Sequence, residues 1–374
     1  MTRIGFAYNQ KPGTMAADDA AEPAPTDVDE PPSGGAGVAT LLAPAAVADD
    51  EFAEWDSPAT IQAVARALAH YGDVVPLEAT EDFPQRLRDT RPDIVFNIAE
   101  GLRGPNREAH VPAICEFYGT PYSGSDPFTL ALCLDKARTK EILRARAVPT
   151  ADWWLISTHG ELRDFMLRTP SLPLFAKPVH EGSSKGITER NFIASRDALE
   201  PVVADLLERY EQPVILETFL PGAEFTCGVL GNGASARVLP IVGLNFEALP
   251  PGALPIYGFE AKWLWDTREE PLDIFECPAD IHNTLRAEIE DVVLRAYRAL
   301  GCRDWSRVDV RLDALGRANV VEVNPLPGIL PDPSDNSCLP KSARAAGLTY
   351  NALIGAALTA AGARQGVALR GARP

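Results

Sequence analysis

Arg307-Val308-Asp309-Val310-Arg311, followed thirteen residues after Asp309 by Glu322-Val323-Asn324-Pro325, decides how this chain is read. In each stretch apolar residues alternate with polar ones, the pattern of a strand, and Asp313 to Arg317 supply a glycine-containing turn between them. Residues two apart on a strand share a face. Glu322 and Asn324 therefore project together, and a hairpin brings Asp309 opposite them. The outcome is a set of hard oxygen ligands beside Arg307. Mg²⁺ takes such ligands and keeps phosphate oxygens in its shell, so the hairpin suits a Mg²⁺–ATP site. The same residues also suit an ordinary solvated strand face.

Two more segments add to it. Phe175-Ala176-Lys177-Pro178 reads as an apolar strand ending in a lysine, and Glu181-Gly182-Ser183-Ser184-Lys185-Gly186 follows as a loop of small residues. Small residues let backbone N–H groups approach phosphate oxygens, and the lysine adds positive charge. No Walker loop is present, and a Gly/Ser turn after a strand is more often a plain loop. Val214 to Thr218 is a second apolar strand, running into a turn with carboxylates seven residues apart at Glu217 and Glu224. Those carboxylates can hold ribose hydroxyls or an adenine amino group, or simply decorate a charged turn.

In chain order the segments are Lys136, Lys177 with its loop, Glu217 and Glu224, Lys262, then Arg307, Asp309, Glu322 and Asn324. This order resembles the ATP-grasp superfamily and, within it, the D-alanine–D-alanine ligases. Matching stretches are Thr120-Pro-Tyr-Ser-Gly-Ser125, Leu134-Asp-Lys-Ala-Arg-Thr-Lys140, Glu181-Gly-Ser-Ser184, Gly222-Ala-Glu-Phe225, Glu260-Ala-Lys262, Arg307-Val-Asp309 and Glu322-Val-Asn324, from about Asp93 to about Ala360. The resemblance implies an α/β (α+β) three-domain fold with ATP between the middle and C-terminal domains. It implies ATP-dependent activation of one amino acid's carboxylate as an acyl phosphate, which another's amine then attacks.

It also implies roles. Lys136 and Lys177 would hold ATP phosphates, Ser183 and Ser184 would close over them, and Lys262 would reach the transferred group. Glu217, Leu220 and Glu224 would line the nucleoside site. Asp309, Glu322 and Asn324 would bind Mg²⁺, with Mn²⁺ as the alternative. Arg307 and the Gly328 N–H would form an oxyanion site, and Ser337 would receive the acceptor carboxylate. The pocket for the donor amino acid departs from the family. Its glutamate-bearing motif after the first strand is absent, and Glu54 is the substitute candidate, unless it is only a carboxylate at a helix start. A family histidine is Glu100 here, and a family tyrosine is Trp263. A donor other than D-alanine is thus an open alternative. So is a dipeptide or amide ligase of secondary metabolism, or a nucleotide-binding regulatory protein without turnover.

Composition agrees with an enzyme of small molecules. The 374 residues carry a net charge of −17, which argues against nucleic acid or anionic membranes as partners. Much of the excess is local: eleven Asp and Glu fall between Asp18 and Asp56, while Lys and Arg are absent between Lys11 and Arg66. Residues 16–50 read as a solvated, loosely packed insertion. The six cysteines form no Cys-x-x-Cys pair and the five histidines no metal-type spacing. Neither a leader nor a membrane span is legible, so a cytoplasmic chain is expected, acting on small amino acids and with room for a homodimer. The expected domains are 1–126, 127–218 and 219–374. Expected elements include a helix over Thr129 to Ala145, a strand over Ala236 to Leu244 and a helix over Ala279 to Leu300.

Overall fold

The computed structural model describes residues 2–12, 52, 54–168, 170–182, 184–258, 261, 265 and 272–369. The expected insertion at 16–50 and the candidate residues Ser183, Lys262 and Trp263 lie outside them.

The chain opens with β1 (Arg3–Tyr8), α1 (Pro58–Ala69), β2 (Asp73–Glu78), α2 (Phe83–Thr90), β3 (Ile94–Asn97) and α3 (His110–Tyr118). Its strands form a parallel sheet in the order β2-β1-β3. Ile4 to Ala7 and Ile94 to Asn97 are buried without interruption, as a parallel sheet covered on both faces requires. Ser57 caps α1 by accepting from the Thr60 N–H, with Pro58 in the first turn, as the sequence suggests.

Next come α4 (Pro127–Leu134), α5 (Lys136–Ala145), β4 (Trp153–Ile156), α6 (His159–Met166), β5 (Leu174–Pro178), β6 (Phe192–Ile193), α7 (Arg196–Tyr210) and β7 (Val214–Thr218). The strands form an antiparallel sheet in the order β4-β7-β5-β6. Alternation sends Leu174, Ala176, Val214 and Leu216 into a core with α6 and α7. It leaves Phe175, Lys177 and Glu217 on the opposite face. The single helix expected over 129–145 is in fact two. Asp135 takes an extended conformation and its side chain accepts from the Arg138 N–H. A capping aspartate thus restarts the helix and puts Lys136 at its first position.

The remainder is β8 (Glu224–Leu230), β9 (Arg237–Val238), β10 (Val242–Leu244), β11 (Phe275–Glu276), α8 (Asn283–Ala299), β12 (Trp305–Leu312), β13 (Ala318–Asn324), α9 (Cys338–Ala345) and α10 (Tyr350–Gln365). The second large sheet runs β11-β10-β8-β12-β13, with β9 also on β8. The expected strand over 236–244 is split at Leu239-Pro240, where proline has no N–H to give the ladder. Helix α8 starts later than expected, capped by His282.

The two sheets are joined at Thr150, which bridges to Val320, and the Val320 N–H donates to the Pro149 carbonyl at 2.9 Å. The C-terminal helix does not stay with its own sheet. Leu353, Ile354, Ala357, Leu358 and Ala361 of α10 share a core with Ile4, Phe6, Val64 and Leu68. Trp305 is wholly buried there, its ring 5.4 Å from that of Phe96. A Cβ at Gly355 would overlap the Tyr71 hydroxyl at the α1–α10 contact. Gly355→Leu should therefore destabilise the protein by about 1–3 kcal/mol through overpacking. A chemical-denaturation midpoint equal to that of the parent chain would show that this contact yields freely.

Candidate active site

The β12–β13 hairpin places four polar side chains as two opposed pairs. Arg307 lies across from Asn324, and Asp309 across from Glu322. Val308, Val310, Val320 and Val323 point the other way into the core. The spacing of three between Val320 and Val323 is not regular alternation. A register shift next to Asp309 places Val321 and Glu322 both toward the cavity.

Hydrogen bonds fix the group. Asp309 accepts from Thr226 Oγ1 at 2.9 Å, Arg307 at 3.0 Å and Asn324 Nδ2 at 3.2 Å. Glu322 pairs with Lys136 Nζ at 2.9 Å, and Lys136 also donates to the Glu181 carbonyl. Burial opposes both charges at these positions. The Asp309 carboxylate nonetheless raises the Arg307 guanidinium above its ordinary range, and Lys136 holds the Glu322 carboxyl below its own. Asp309, Glu322 and Asn324 thus present carboxyl and amide oxygens on one face. Among the described residues no cluster of three His, Cys, Asp or Glu forms a metal cage, so a cation here would need Asn324 and outside oxygens.

A cavity of about 430 Å³ joins this face to the middle sheet. Lys136, Lys177, Ser184, Glu217, Leu220, Glu224, Arg307, Asp309, Glu322, Asn324, Gly328 and Ser337 all line it, as do Glu54 and Glu100. The structure therefore gathers every described candidate in one place. At its middle-sheet end, Glu217 stands between two buried lysines: Lys177 Nζ is 2.8 Å from Oε2 and Lys140 Nζ 3.0 Å from Oε1. Burial favours the neutral acid, but the two charges outweigh it and hold the carboxyl down to about 2. Glu224 pairs with Arg311 at 2.7 Å, yet burial keeps its carboxyl raised. Lys136 and Lys140 are thus not surface lysines. Gly328 has no positive φ, and among the described residues no atom lies where a Cβ would strike it, so neither turn geometry nor their packing demands glycine there. Ser337 Oγ accepts from the Leu330 N–H at 3.1 Å and is buried.

The first-domain side of the cavity differs from expectation. Glu54 is engaged within the protein. Its two oxygens both accept from Arg107 Nη2, at 2.9 and 3.1 Å, and Oε1 also accepts from the Gly182 N–H at 3.1 Å, with Lys185 at 3.6 Å. Burial pushes its carboxyl up, and Arg107 and Lys185 bring it below the ordinary range. Arg107 also donates to the His180 carbonyl at 3.0 Å, tying the first domain to the loop after β5. Glu100 is held by its backbone neighbour: the Gly101 N–H donates to Asn9 Oδ1, and Gly101 has φ +82° with the Arg107 carbonyl where a Cβ would stand. Burial and then the nearby Glu108, Glu54 and Asp56 raise the Glu100 carboxyl well above its ordinary range, and Glu108 is raised to about 8. Arg107, Glu108, Lys140, Thr226 and Arg311 were not singled out from sequence. Arg311 and Thr226 sit in alternating strand patterns and Lys140 lies one turn after Lys136, but nothing local marked any of the five as a site residue.

A cavity between two antiparallel sheets, with buried lysines on one side and a carboxylate–arginine hairpin on the other, defines the class of ATP-grasp ligases. The family model described as D-ala D-ala ligase C-terminus matches residues 142–359. A D-alanine–D-alanine ligase of Actinobacillus pleuropneumoniae serotype 5b is 35% identical over 295 residues, 78% of this chain and 88% of that protein. One of Bordetella petrii is 34% identical over 258 residues, 69% of this chain and 72% of that protein. The crystal structure of the Bacillus anthracis D-alanine–D-alanine ligase complexed with ATP superposes with a TM-score of 0.65 at 22% identity, covering 98% of this chain and 99% of that one, and so shares its fold. The chain belongs to the D-alanine–D-alanine ligase family. It is an ATP-dependent carboxylate–amine ligase.

The Glu217 group makes stability depend on pH in a defined way. Its carboxyl lies below the unfolded value, so its contribution is full above about 4.5 and is lost as pH falls towards about 2. Glu217→Gln should lower stability at pH 7 by roughly 3–5 kcal/mol, because two buried lysines lose their anion. Denaturant titrations from pH 7 to pH 3 should show a flatter acid limb for the variant; parallel curves would remove this assignment.

Proposed function

We propose that the protein joins two small amino acids, D-alanine to D-alanine being the leading pair, and that Mg²⁺ assists. The observation that carries the reading is the opposed set Arg307–Asn324 and Asp309–Glu322 at the wall of a cavity that Lys136 and Lys177 also line. The residues fit a hard cation: one carboxylate from each strand and an amide oxygen share a face, and flanking cations already offset part of their charge. Asp309, Glu322 and Asn324 would hold Mg²⁺, with Mn²⁺ the alternative, and the ion when bound would neutralise phosphoryl oxygens.

The chain's own groups would do the rest. Lys136 and Lys177 would bind phosphate oxygens, with Ser183, Ser184 and Lys262 covering the transferred group. Glu217, Leu220 and Glu224 would contact the nucleoside. A donor carboxylate oxygen would attack the terminal phosphorus and ADP would leave. The acceptor amine would then attack the acyl carbon, and phosphate would leave as the tetrahedral centre collapses. Arg307 and the Gly328 N–H would stabilise that oxyanion, and Ser337 would receive the acceptor carboxylate. Catalysis of this kind is positioning and electrostatics.

The donor pocket supports a second reading, a donor other than D-alanine. Glu54 is turned inward to Arg107 and Lys185, which leaves Glu100, like Glu108, in no ion pair among the described residues, with Trp263 as the other departure from the family. A donor ammonium would supply the missing charge, and an added donor carboxylate would meet repulsion.

Two experiments test the site. Asp309→Ala and Glu322→Ala should each reduce amino-acid-dependent phosphate release by about 10²-fold or more while unfolding stays cooperative. Near-normal turnover in Glu322→Ala would remove the metal assignment. Steady-state kinetics with alanine, aspartate and a basic amino acid as donors, at saturating ATP, should favour a neutral or cationic donor over aspartate. Glu100→Gln should blunt that preference more than it changes ATP affinity; an unchanged donor profile would take Glu100 out of the pocket.

A further inference from the structure

Lys140 has no role in the chemistry above, yet it is almost wholly buried at 1% exposure. Its ammonium is anchored on two sides. It faces Glu217 Oε1 at 3.0 Å and donates to Thr150 Oγ1 at 2.7 Å, and Thr150 in turn donates to the Val320 carbonyl at 2.8 Å. A lysine held this way, between α5, β7 and the edge of β13, is not free to swing to a ligand. Lys177 is placed differently. It bonds Glu217 Oε2 at 2.8 Å, but it stands on β5 just before the loop proposed to cover phosphates. One buried carboxylate thus has two cations, and among the described residues Oε1 is met by Lys140 as an ion pair without hydrogen-bond geometry.

The surplus has a physical use. An ammonium shared between a buried carboxylate and a phosphate no longer neutralises the carboxylate in full. A buried carboxylate that loses its partner takes up a proton or destabilises the site. Here Glu322 of β13 acts on both lysines and Glu224 of β8 on Lys177, and their charges would add to that pressure. Lys140 removes it, because it stays on Glu217 whatever Lys177 does. We propose that Lys140 is a positioning residue that keeps Glu217 ionised and in place while Lys177 turns to the nucleotide phosphates, so that ATP binds without protonation of Glu217. The proposal rests on the reading that Lys177 contacts phosphate.

Calorimetry with Mg²⁺ and an ATP analogue carrying an imido bridge between the β- and γ-phosphates tests it. Titrations at pH 7 in two buffers of different ionisation enthalpy give both affinity and the protons taken up. Relative to the parent chain, Lys140→Met should bind at least about tenfold more weakly and take up close to one additional proton. Lys140→Arg should restore the parent proton count. A merely structural lysine would lower affinity or thermal stability without adding a proton, and an unchanged proton count in Lys140→Met overturns the proposal. Should Lys140→Met fail to fold, the comparison moves to Glu217→Gln. Without the carboxylate, adding Lys140→Met should change affinity by less than about twofold, within the scatter of independent sites; a larger loss overturns the proposal. Lys177→Met separates the two readings. If it binds the analogue as the parent does, the phosphate role of Lys177 fails and this inference with it. If it binds weakly while Lys140→Met keeps the parent proton count, only the role of Lys140 fails.

Discussion

The antiparallel pairing of β12 with β13 is the constraint on which the site depends. It sets Arg307 against Asn324 and Asp309 against Glu322, so that a guanidinium, two carboxylates and an amide converge without any long loop. Cross-strand neighbours of this kind stand about 5 Å apart, close enough to share charge and one cation. The register shift beside Asp309 then keeps the valines of both strands in the core while the polar set stays on the cavity side. Without that shift, regular alternation would turn Val320 toward the cavity and Val321 into the core.

Charge inside the cavity is arranged in compensated groups. Glu322 has Lys136, Asp309 has Arg307, Glu224 has Arg311, Glu217 has Lys140 and Lys177, and Glu54 has Arg107 and Lys185. Glu100 and Glu108 are the contrast, with carboxyls driven up by burial and then by neighbouring carboxylates, Glu108 and Glu54 beside Glu100 and Glu54 beside Glu108. Buried ion pairs contribute little net stability, because desolvation offsets attraction. On the proposed reading their value is readiness: polyanionic phosphates would meet cations already dehydrated and oriented. The same arrangement ties domains together. Arg107 and Glu54 of the first domain hold the loop after β5, and Thr150 links α5 and Lys140 to β13.

Packing explains why the polar cavity is stable. Each of the two antiparallel sheets buries one face under its helices, α6 and α7 on the middle sheet and α8 on the larger one. The faces left over point at each other and line the cavity. Helix α10 returns to close the first domain against α1, and the buried Asp304 fastens that junction through the Gly124 N–H, Asn232 and Arg364 at 2.7 to 2.8 Å.

The sequence by itself determined the hairpin, its polar face and the order of the lysines and carboxylates, because strand alternation and tight turns are local properties. Asp309, Glu322, Asn324, Lys177 and Glu217 could be picked out for that reason, and the structure brings them into one cavity. Only the tertiary structure decided the rest. Lys140 looks like any exposed helical lysine until Glu217 arrives from a strand far along the chain. Glu54 looks like a helix-start carboxylate until Arg107 and the loop at Gly182 close on it. The break at Asp135 required a cap to win over an apolar helical pattern, and the α10–α1 contact joins segments with no common periodicity. In each case the deciding term is burial beside a partner distant in sequence. Periodicity encodes which face of an element turns inward, and it carries no information on what will be waiting there.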